Sequence, residues 1–194
     1  MQFESIRKIL KRHTVGIAGC GGLGSNCAVT LARCGIGKLV IADFDVIQES
    51  NLNRQYFFFD QIGHKKVFAL KENLERIRPD LRVEAADVKL DEQSILKIFA
   101  QCDVIVEAFD LAVMKQMIIE TVSSEMPNIP VVSGVGLAGL GNTDRFKIID
   151  SGKLIVCGDL ETEVSPELPP LAPRVSIVAN MQADAVIRLL IQNR

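Results

Sequence analysis

The 194-residue chain has no C-x-x-C pair, no long unbroken apolar run and no excess of charge of either sign. Without paired cysteines it lacks the ligand spacing of a structural zinc site, and no zinc is expected. Its longest nearly apolar stretch, VVSGVGLAGLG at 131–141, is too short and too rich in glycine to cross a bilayer. The 22 Lys+Arg stand against 24 Asp+Glu, a formal charge of −2. That balance gives no long-range attraction toward nucleic acid or an anionic membrane, and neither is expected as a partner. The opening residues, MQFESIRKILKRHTV, mix Glu, Arg and Lys through their apolar positions and lack the apolar core of a signal peptide. Five cysteines, at 20, 27, 34, 102 and 157, are odd in number in a chain large enough to need no staples, so a disulfide framework is not expected. A soluble protein of the reducing cytoplasm follows from these absences.

What is present is a well-supplied core: 48% hydrophobic residues and a mean hydropathy of +0.23. That excludes disorder, and the length suits one domain, taken as 1–194, with neither an internal repeat nor a dividing linker. After a short charged helix near 3–12, TVGIAG at 14–19 has the form of a strand buried on both faces. A helix over about 24–34 and the strand KLVIAD at 38–43 follow, with Asp43 and Asp45 at the strand's C-terminal end. Residues 46–63 carry no helical period and are read as a long ordered connection, a feature often functional. Val67, Leu70, Leu74 and Ile77 predict a helix over 65–78, stopped by Pro79. Strands at 81–86, 103–108 and 130–134 alternate with helices near 94–102 and 111–125. This repeated βαβ order predicts a Rossmann-like, doubly wound α/β fold with a mostly parallel sheet and helices on both faces. RFKIID at 145–150 and KLIVCG at 153–158 predict an added antiparallel hairpin. Residues 159–173 hold four acidic residues, four prolines and no basic one, which suits an extended loop before a closing helix over 174–192.

Gly19-Cys20-Gly21-Gly22-Leu23-Gly24 is a G-x-G-x-x-G between a predicted strand and helix, where glycine lets the backbone approach a phosphate and the helix N-terminus supplies donors. Asp43 lies about 20 residues on, where a carboxylate can hold ribose hydroxyls. That much fits a dinucleotide site. The next segment does not: Ser50-Asn51-Leu52-Asn53-Arg54-Gln55, then Gly63-His64-Lys65-Lys66, brings polar and basic groups that hydride transfer has little use for and a triphosphate needs.

G-x-G-G-L-G-S, then D-x-D, then S-N-L-N-R-Q, then a lysine one turn into a helix and an aspartate closing a later strand resemble the ubiquitin-activating-enzyme-like adenylyltransferases, in the ThiF, MoeB and HesA group. The resemblance spans roughly 14–192, and the chain's compactness is most similar to a short ThiF, which adenylates the sulfur carrier protein of thiamine biosynthesis. It implies ATP-dependent adenylation of the C-terminal Gly-Gly carboxylate of a small ubiquitin-fold carrier, with release of pyrophosphate. By position it implies that Gly19, Gly21, Gly22 and Gly24 cradle the nucleotide and Asp43 binds the ribose. Ser50, Asn51 and Arg54 would contact phosphates, Lys66 would stabilise the transition state, and Asp110 would hold Mg2+ with Leu111 beside the nucleotide. The chemistry agrees: a carboxylate attacking an anionic phosphate needs cations where charge develops, and no side-chain nucleophile.

Other features are ambiguous in the sequence. Cys157 is a candidate reactive thiol or a small buried residue; Cys20, Cys27 and Cys34 read as packing. His13 and His64 have no convergent partners. Tyr56 to Phe59 are expected to pack beneath the nucleotide loop. The glycines at 134, 136, 139 and 141 suit either a groove for a Gly-Gly tail or a flexible loop. The resemblance also implies a homodimer that lends an arginine to the site, for which only Arg7 or Arg12 is on offer. An extended N-terminal arm and the strands that follow the last helix in longer relatives are not expected here, so the grip on the carrier is expected from a hydrophobic sheet face next to the acidic loop. The rivals are a NAD-binding oxidoreductase or redox sensor, a nucleotide-binding scaffold, and an enzyme that adenylates a different carboxylate such as that of a modified tRNA nucleoside.

Overall fold

The computed structural model describes residues 1–192. Six strands run parallel: Thr14–Ala18 (β1), Lys38–Asp43 (β2), Arg82–Asp87 (β3), Val104–Glu107 (β4), Val131–Gly134 (β5) and, beyond an antiparallel Lys147–Asp150 (β6), Leu154–Gly158 (β7). They form one sheet in the order β3-β2-β1-β4-β5-β7-β6. The chain winds outward from β1 to β3, then returns to build β4 and β5 on β1's other side. A doubly wound sheet of this kind opens a crevice at the C-terminal ends of the two central strands.

The helices are Phe3–Leu10 (α1), Gly22–Cys34 (α2), Lys66–Ile77 (α3), Glu92–Ile98 (α4), Ala112–Glu125 (α5) and Ala172–Gln192 (α6). Strand alternation divides the core. Val15, Ile17, Leu39, Ile41, Val104 and Val106 face α2, α3 and α6, whereas Ala18, Val40, Ala42 and Ile105 face α4 and α5. By length and composition alone α6 could cross a membrane. Its apolar face is instead occupied, with Val178, Ala179, Ala183, Val186 and Leu190 all in the first of these clusters.

Several boundaries differ from the sequence reading by a few residues, and two of the differences have a clear local reason. α4 begins earlier because Asp91 caps it: its carboxylate accepts the Ser94 N–H at 2.8 Å while the Ser94 hydroxyl accepts the Asp91 N–H at 2.8 Å. α6 begins at Ala172 because Pro173 falls in its first turn, where a missing N–H costs nothing. The predicted hairpin forms as β6 and β7, and β7 joins the sheet beside β5.

Of the glycines after β5, Gly136 and Gly139 line neither an open groove nor a loose loop. A Cβ on Gly136, whose φ is +74°, would lie 2.0 Å from the Asp159 Oδ1, and the Gly139 N–H donates to the Pro169 carbonyl at 2.9 Å. Residues 159–171 cover these glycines and are held by a buried ion pair. Arg174 and Asp159 are 2% and 3% exposed and their guanidinium and carboxylate are in direct contact, with Arg174 also 4.5 Å over the Phe146 ring. Burial opposes the charge on Asp159, but the Thr162 and Glu161 N–H groups, the Thr162 hydroxyl and Arg174 outweigh it and hold the carboxyl below its ordinary value.

Cys157, the candidate reactive thiol, is a core residue instead. It is 0% exposed on β7, and burial pushes its thiol up to about 12. The same cause raises Cys20 and Cys27, and takes Cys102 to about 12; only Cys34 is partly accessible.

Two outcomes follow. A thiol reagent at mildly alkaline pH should label Cys34 first in the native protein and all five cysteines only in denaturant; a fast second thiol that disappears in Cys157→Ala would restore the reactive reading. Asp159→Asn, which strands Arg174 in the interior, should cost about 3–5 kcal/mol in urea unfolding at neutral pH. A depressed carboxylate stabilises the fold above its unfolded value of 3.8 and loses that contribution as pH falls through its folded value, so the gap between wild type and variant should close there.

Candidate functional site

The crevice between β1 and β4 is built on a backbone turn too tight for side chains. A Cβ on Gly24 would sit 1.8 Å from the Gly19 carbonyl oxygen, and one on Gly19, at φ +96°, 2.8 Å from the Ala108 carbonyl oxygen after β4. Gly21 is the N-cap of α2 and no side chain caps the helix, so its first-turn amides face the crevice with the positive end of the helix dipole. Asp43 closes the turn from the β2 side, its carboxylate accepting the Cys20 N–H at 2.6 Å and the Asp45 N–H at 2.8 Å.

Polar side chains of α2 then fix the long connection over the turn. Asn26 donates through Nδ2 to the Gly22 carbonyl at 2.7 Å and the Arg54 carbonyl at 2.8 Å. Ser25 donates through its hydroxyl to the Gly21 carbonyl at 2.7 Å and accepts the Tyr56 N–H at 2.9 Å. The Arg54 side chain lies along Gly22, its Cγ 3.6 Å from where a Cβ would stand, and its guanidinium donates to the Ser50 carbonyl at 3.1 Å and the Asn53 Oδ1 at 2.7 Å. Ser50 is exposed at the rim, whereas the Asn51 side-chain oxygen accepts the Gln48 N–H at 3.0 Å within a short 3₁₀ turn. Gln55 is buried, with its Nε2 3.8 Å from the Cβ position of Gly21.

On the opposite flank, Lys66 opens α3. It is 6% exposed, and its ammonium pairs with Asp45 at 2.7 Å. Its charge and that of Asp43 both act on Cys20, which places them beside the glycine turn. Across the crevice Asp110 and Leu111 are exposed after β4. The N-cap of α5 is Leu111 and no side chain caps that helix, so Asp110 is not serving as a cap. Among the described residues no three His, Cys, Asp or Glu side chains cluster to hold a metal, so a cation at Asp110 would need oxygen ligands from a bound phosphate.

The structure therefore gathers Gly19, Gly21, Gly22, Gly24, Asp43, Arg54 and Lys66 around one turn, with Asp110 and Leu111 on the neighbouring strand end, and leaves Cys157 out. Arg7 and Arg12 stand before β1, at the other end of the sheet, where the Arg7 side chain packs against Gly35 at the end of α2. Neither reaches its own crevice. Of Tyr56 to Phe59, Phe57 is buried, but Phe58 and Phe59 are 46% and 74% exposed, so only half of that run packs inward. Asn26, Asp45 and Gln55 were not singled out by role. The sequence signal for Asn26 is a polar residue in a mostly apolar stretch of α2, while Asp45 and Gln55 sit inside the D-x-D and S-N-L-N-R-Q motifs without a role of their own.

Comparison with known proteins gives a family. The chain matches the ThiF family over residues 2–194. It is 30% identical over 190 residues to a molybdopterin-synthase adenylyltransferase of Haemophilus influenzae, covering 93% of this chain and 75% of that one. It is 31% identical over 146 residues to a tRNA threonylcarbamoyladenosine dehydratase of Bacillus subtilis, covering 74% and 57% respectively. Among solved structures, the tRNA N6-threonylcarbamoyladenosine dehydratase of E. coli in complex with ATP superposes with a TM-score of 0.87 at 19% identity, over 97% of this chain and 89% of that one. At that identity the structural likeness is one of fold. The match along nearly the whole chain, together with the glycine turn and the S-N-L-N-R-Q block that the fold folds over it, establishes that this chain belongs to the ThiF family of ubiquitin-activating-enzyme-like adenylyltransferases.

Proposed function

We propose that the chain uses ATP to adenylate the C-terminal Gly-Gly carboxylate of a small ubiquitin-fold sulfur carrier, that of thiamine biosynthesis, and releases pyrophosphate. The observation that carries this reading is the placement of two cations, Arg54 and Lys66, on opposite flanks of a turn whose helix N-terminus is uncapped. The carboxylate oxygen bonds to the α-phosphorus and the bond to the bridging oxygen of pyrophosphate breaks. Negative charge builds on the α-phosphate and on the leaving group, and preorganised cations and amides lower that barrier most. In this reading the α2 amides and Arg54 hold the phosphates, Ser50 and Asn51 border them, and Lys66 leaves Asp45 to meet the charge that develops. Asp43 holds the ribose through lone pairs left over from Cys20 and Asp45.

Asp110 is exposed, uncapped and on the neighbouring strand end, which suits one carboxylate ligand for a cation shared with phosphates. Bound there, Mg2+ would neutralise charge on the departing pyrophosphate. No general base is needed because the attacking carboxylate arrives ionised. A homodimer belongs to the same reading, since any further arginine must come from another copy.

A second reading, adenylation of a carboxylate on a modified tRNA nucleoside, is favoured by the names of two of the relatives. Against it stand the formal charge of −2 and the exposed Glu163 and Glu167 on the loop that packs beside the turn, where Glu161 is already paired with Arg145 at 2.7 Å, a poor surface for a phosphate backbone. ATP–pyrophosphate exchange should therefore require Mg2+ and a carrier ending in Gly-Gly, and Arg54→Ala should abolish it in a protein with unchanged circular dichroism. Exchange driven by modified tRNA and indifferent to the carrier would select the second reading.

A further inference from the structure

A buried charge cluster lies directly beneath the segment that carries Asp110, and nothing in the proposed chemistry uses it. Glu107, the last residue of β4, is 0% exposed. Its Oε1 accepts the Phe109 N–H at 2.7 Å, one residue before Asp110. Lys115, in the second turn of α5, places its ammonium 3.0 and 2.9 Å from the two Glu107 oxygens and donates to the Gly134 carbonyl at the end of β5 at 2.9 Å. The Ser133 hydroxyl donates to Glu107 Oε2 at 2.5 Å, and Gln182 of α6 donates to the Glu107 carbonyl at 2.9 Å. One carboxylate thus ties together both ends of residues 107–115. The other side of the segment abuts the glycine turn, where the Ala108 carbonyl leaves Gly19 no room for a side chain.

Stability alone does not account for the cluster. Replacing a buried ion pair with well-packed apolar residues is often neutral or stabilising, so an apolar pair here would hold the sheet as well. What an apolar pair would not do is fix the direction of the Phe109 N–H, and hence the backbone leading to Asp110. From this we infer that Glu107, Lys115 and Ser133 are positioning residues that set the place of the Asp110 carboxylate for a cation shared with the nucleotide phosphates. The inference rests on Asp110 being that ligand.

The test is calorimetric titration of ATP into the intact chain with and without Mg2+, alongside thermal unfolding. In Lys115→Met the gain in ATP affinity conferred by Mg2+ should fall about 10- to 100-fold, the effect expected of an outer partner of a metal ligand, while metal-free ATP affinity is unchanged. Lys115→Arg should recover most of the gain. Lys115→Met added to Asp110→Asn should cause no further loss, because Lys115 acts through Asp110. Ser133→Ala, which strands no charge, should show a smaller loss in the same direction and decides the matter if Lys115→Met does not fold. An unchanged Mg2+ gain in folded Lys115→Met or Ser133→Ala, or additive losses in the double variant, would overturn the inference alone. An Asp110→Asn variant with a normal Mg2+ gain would remove both the inference and the metal role of Asp110.

Discussion

The whole site depends on one steric fact: the backbone leaving β1 and the backbone entering α2 touch, with 1.8 Å between the Gly19 carbonyl oxygen and the place a Gly24 side chain would begin. No L-residue with a side chain fits at Gly24, and no relaxation of a flexible group relieves the conflict, since the opposing atom is backbone. The contact seats α2 directly on β1, so its N-terminus points along the strand end rather than away from the sheet. Asp43 and Asn26 then brace the turn from below and above through backbone groups, and the crevice between β1 and β4 acquires a floor of amides instead of side chains. A phosphate can approach such a floor to hydrogen-bond distance, which is the physical reason glycine turns and uncapped helix ends recur together.

Charge is arranged around this floor with the same economy. Lys66 is nearly enclosed, and a single buried ammonium would be costly, but its partner Asp45 is half exposed at 49% and so is only partly desolvated. The pair therefore holds the Lys66 ammonium in place without tying it to a partner sealed in the interior. Arg54, by contrast, is bound to neutral acceptors, the Ser50 carbonyl and the Asn53 amide oxygen. Its full charge is available to an incoming anion, because no carboxylate competes for it at those positions.

Much of this was legible in the chain. The unbroken apolar runs of β1 and β2, buried on both faces, the 3 and 4 spacing of Val67, Leu70, Leu74 and Ile77, and the glycine spacing are local signals, and they place the strands, the helices and the turn. The features the sequence leaves open all depend on contacts distant in sequence. Gly136 and Gly139 suit a groove or a flexible loop alike until residues 159–171 fold over them, and that closure depends on Arg174 reaching back to Asp159. Cys157 stays open between a reactive thiol and a packing residue until β7 inserts beside β5 and turns its side chain into the core. Asn26 could not be assigned a role from sequence because its two acceptors, Gly22 and Arg54, are brought together only by the packing of the long connection.

The site also explains why family membership constrains the reaction more than the acyl substrate. On the proposed reading the amides, guanidinium and ammonium meet the phosphates, Asp43 the ribose and Asp110 a shared cation, and none of them is needed to deprotonate the attacking carboxylate, which is already an anion. Any carboxylate delivered in line would react. On the same reading selection comes from the surface over which the acyl group arrives, taken as the loop 159–171, which is pinned by a buried Arg174–Asp159 pair and carries exposed Glu163 and Glu167, while Glu161 is paired with Arg145 at 2.7 Å. A polyanion such as RNA would meet like charges there at separations within the screening length of physiological salt, whereas an extended protein tail with basic or neutral flanks would not. On the proposed reading, the turn supplies the reactivity and the clamped acidic loop supplies the discrimination.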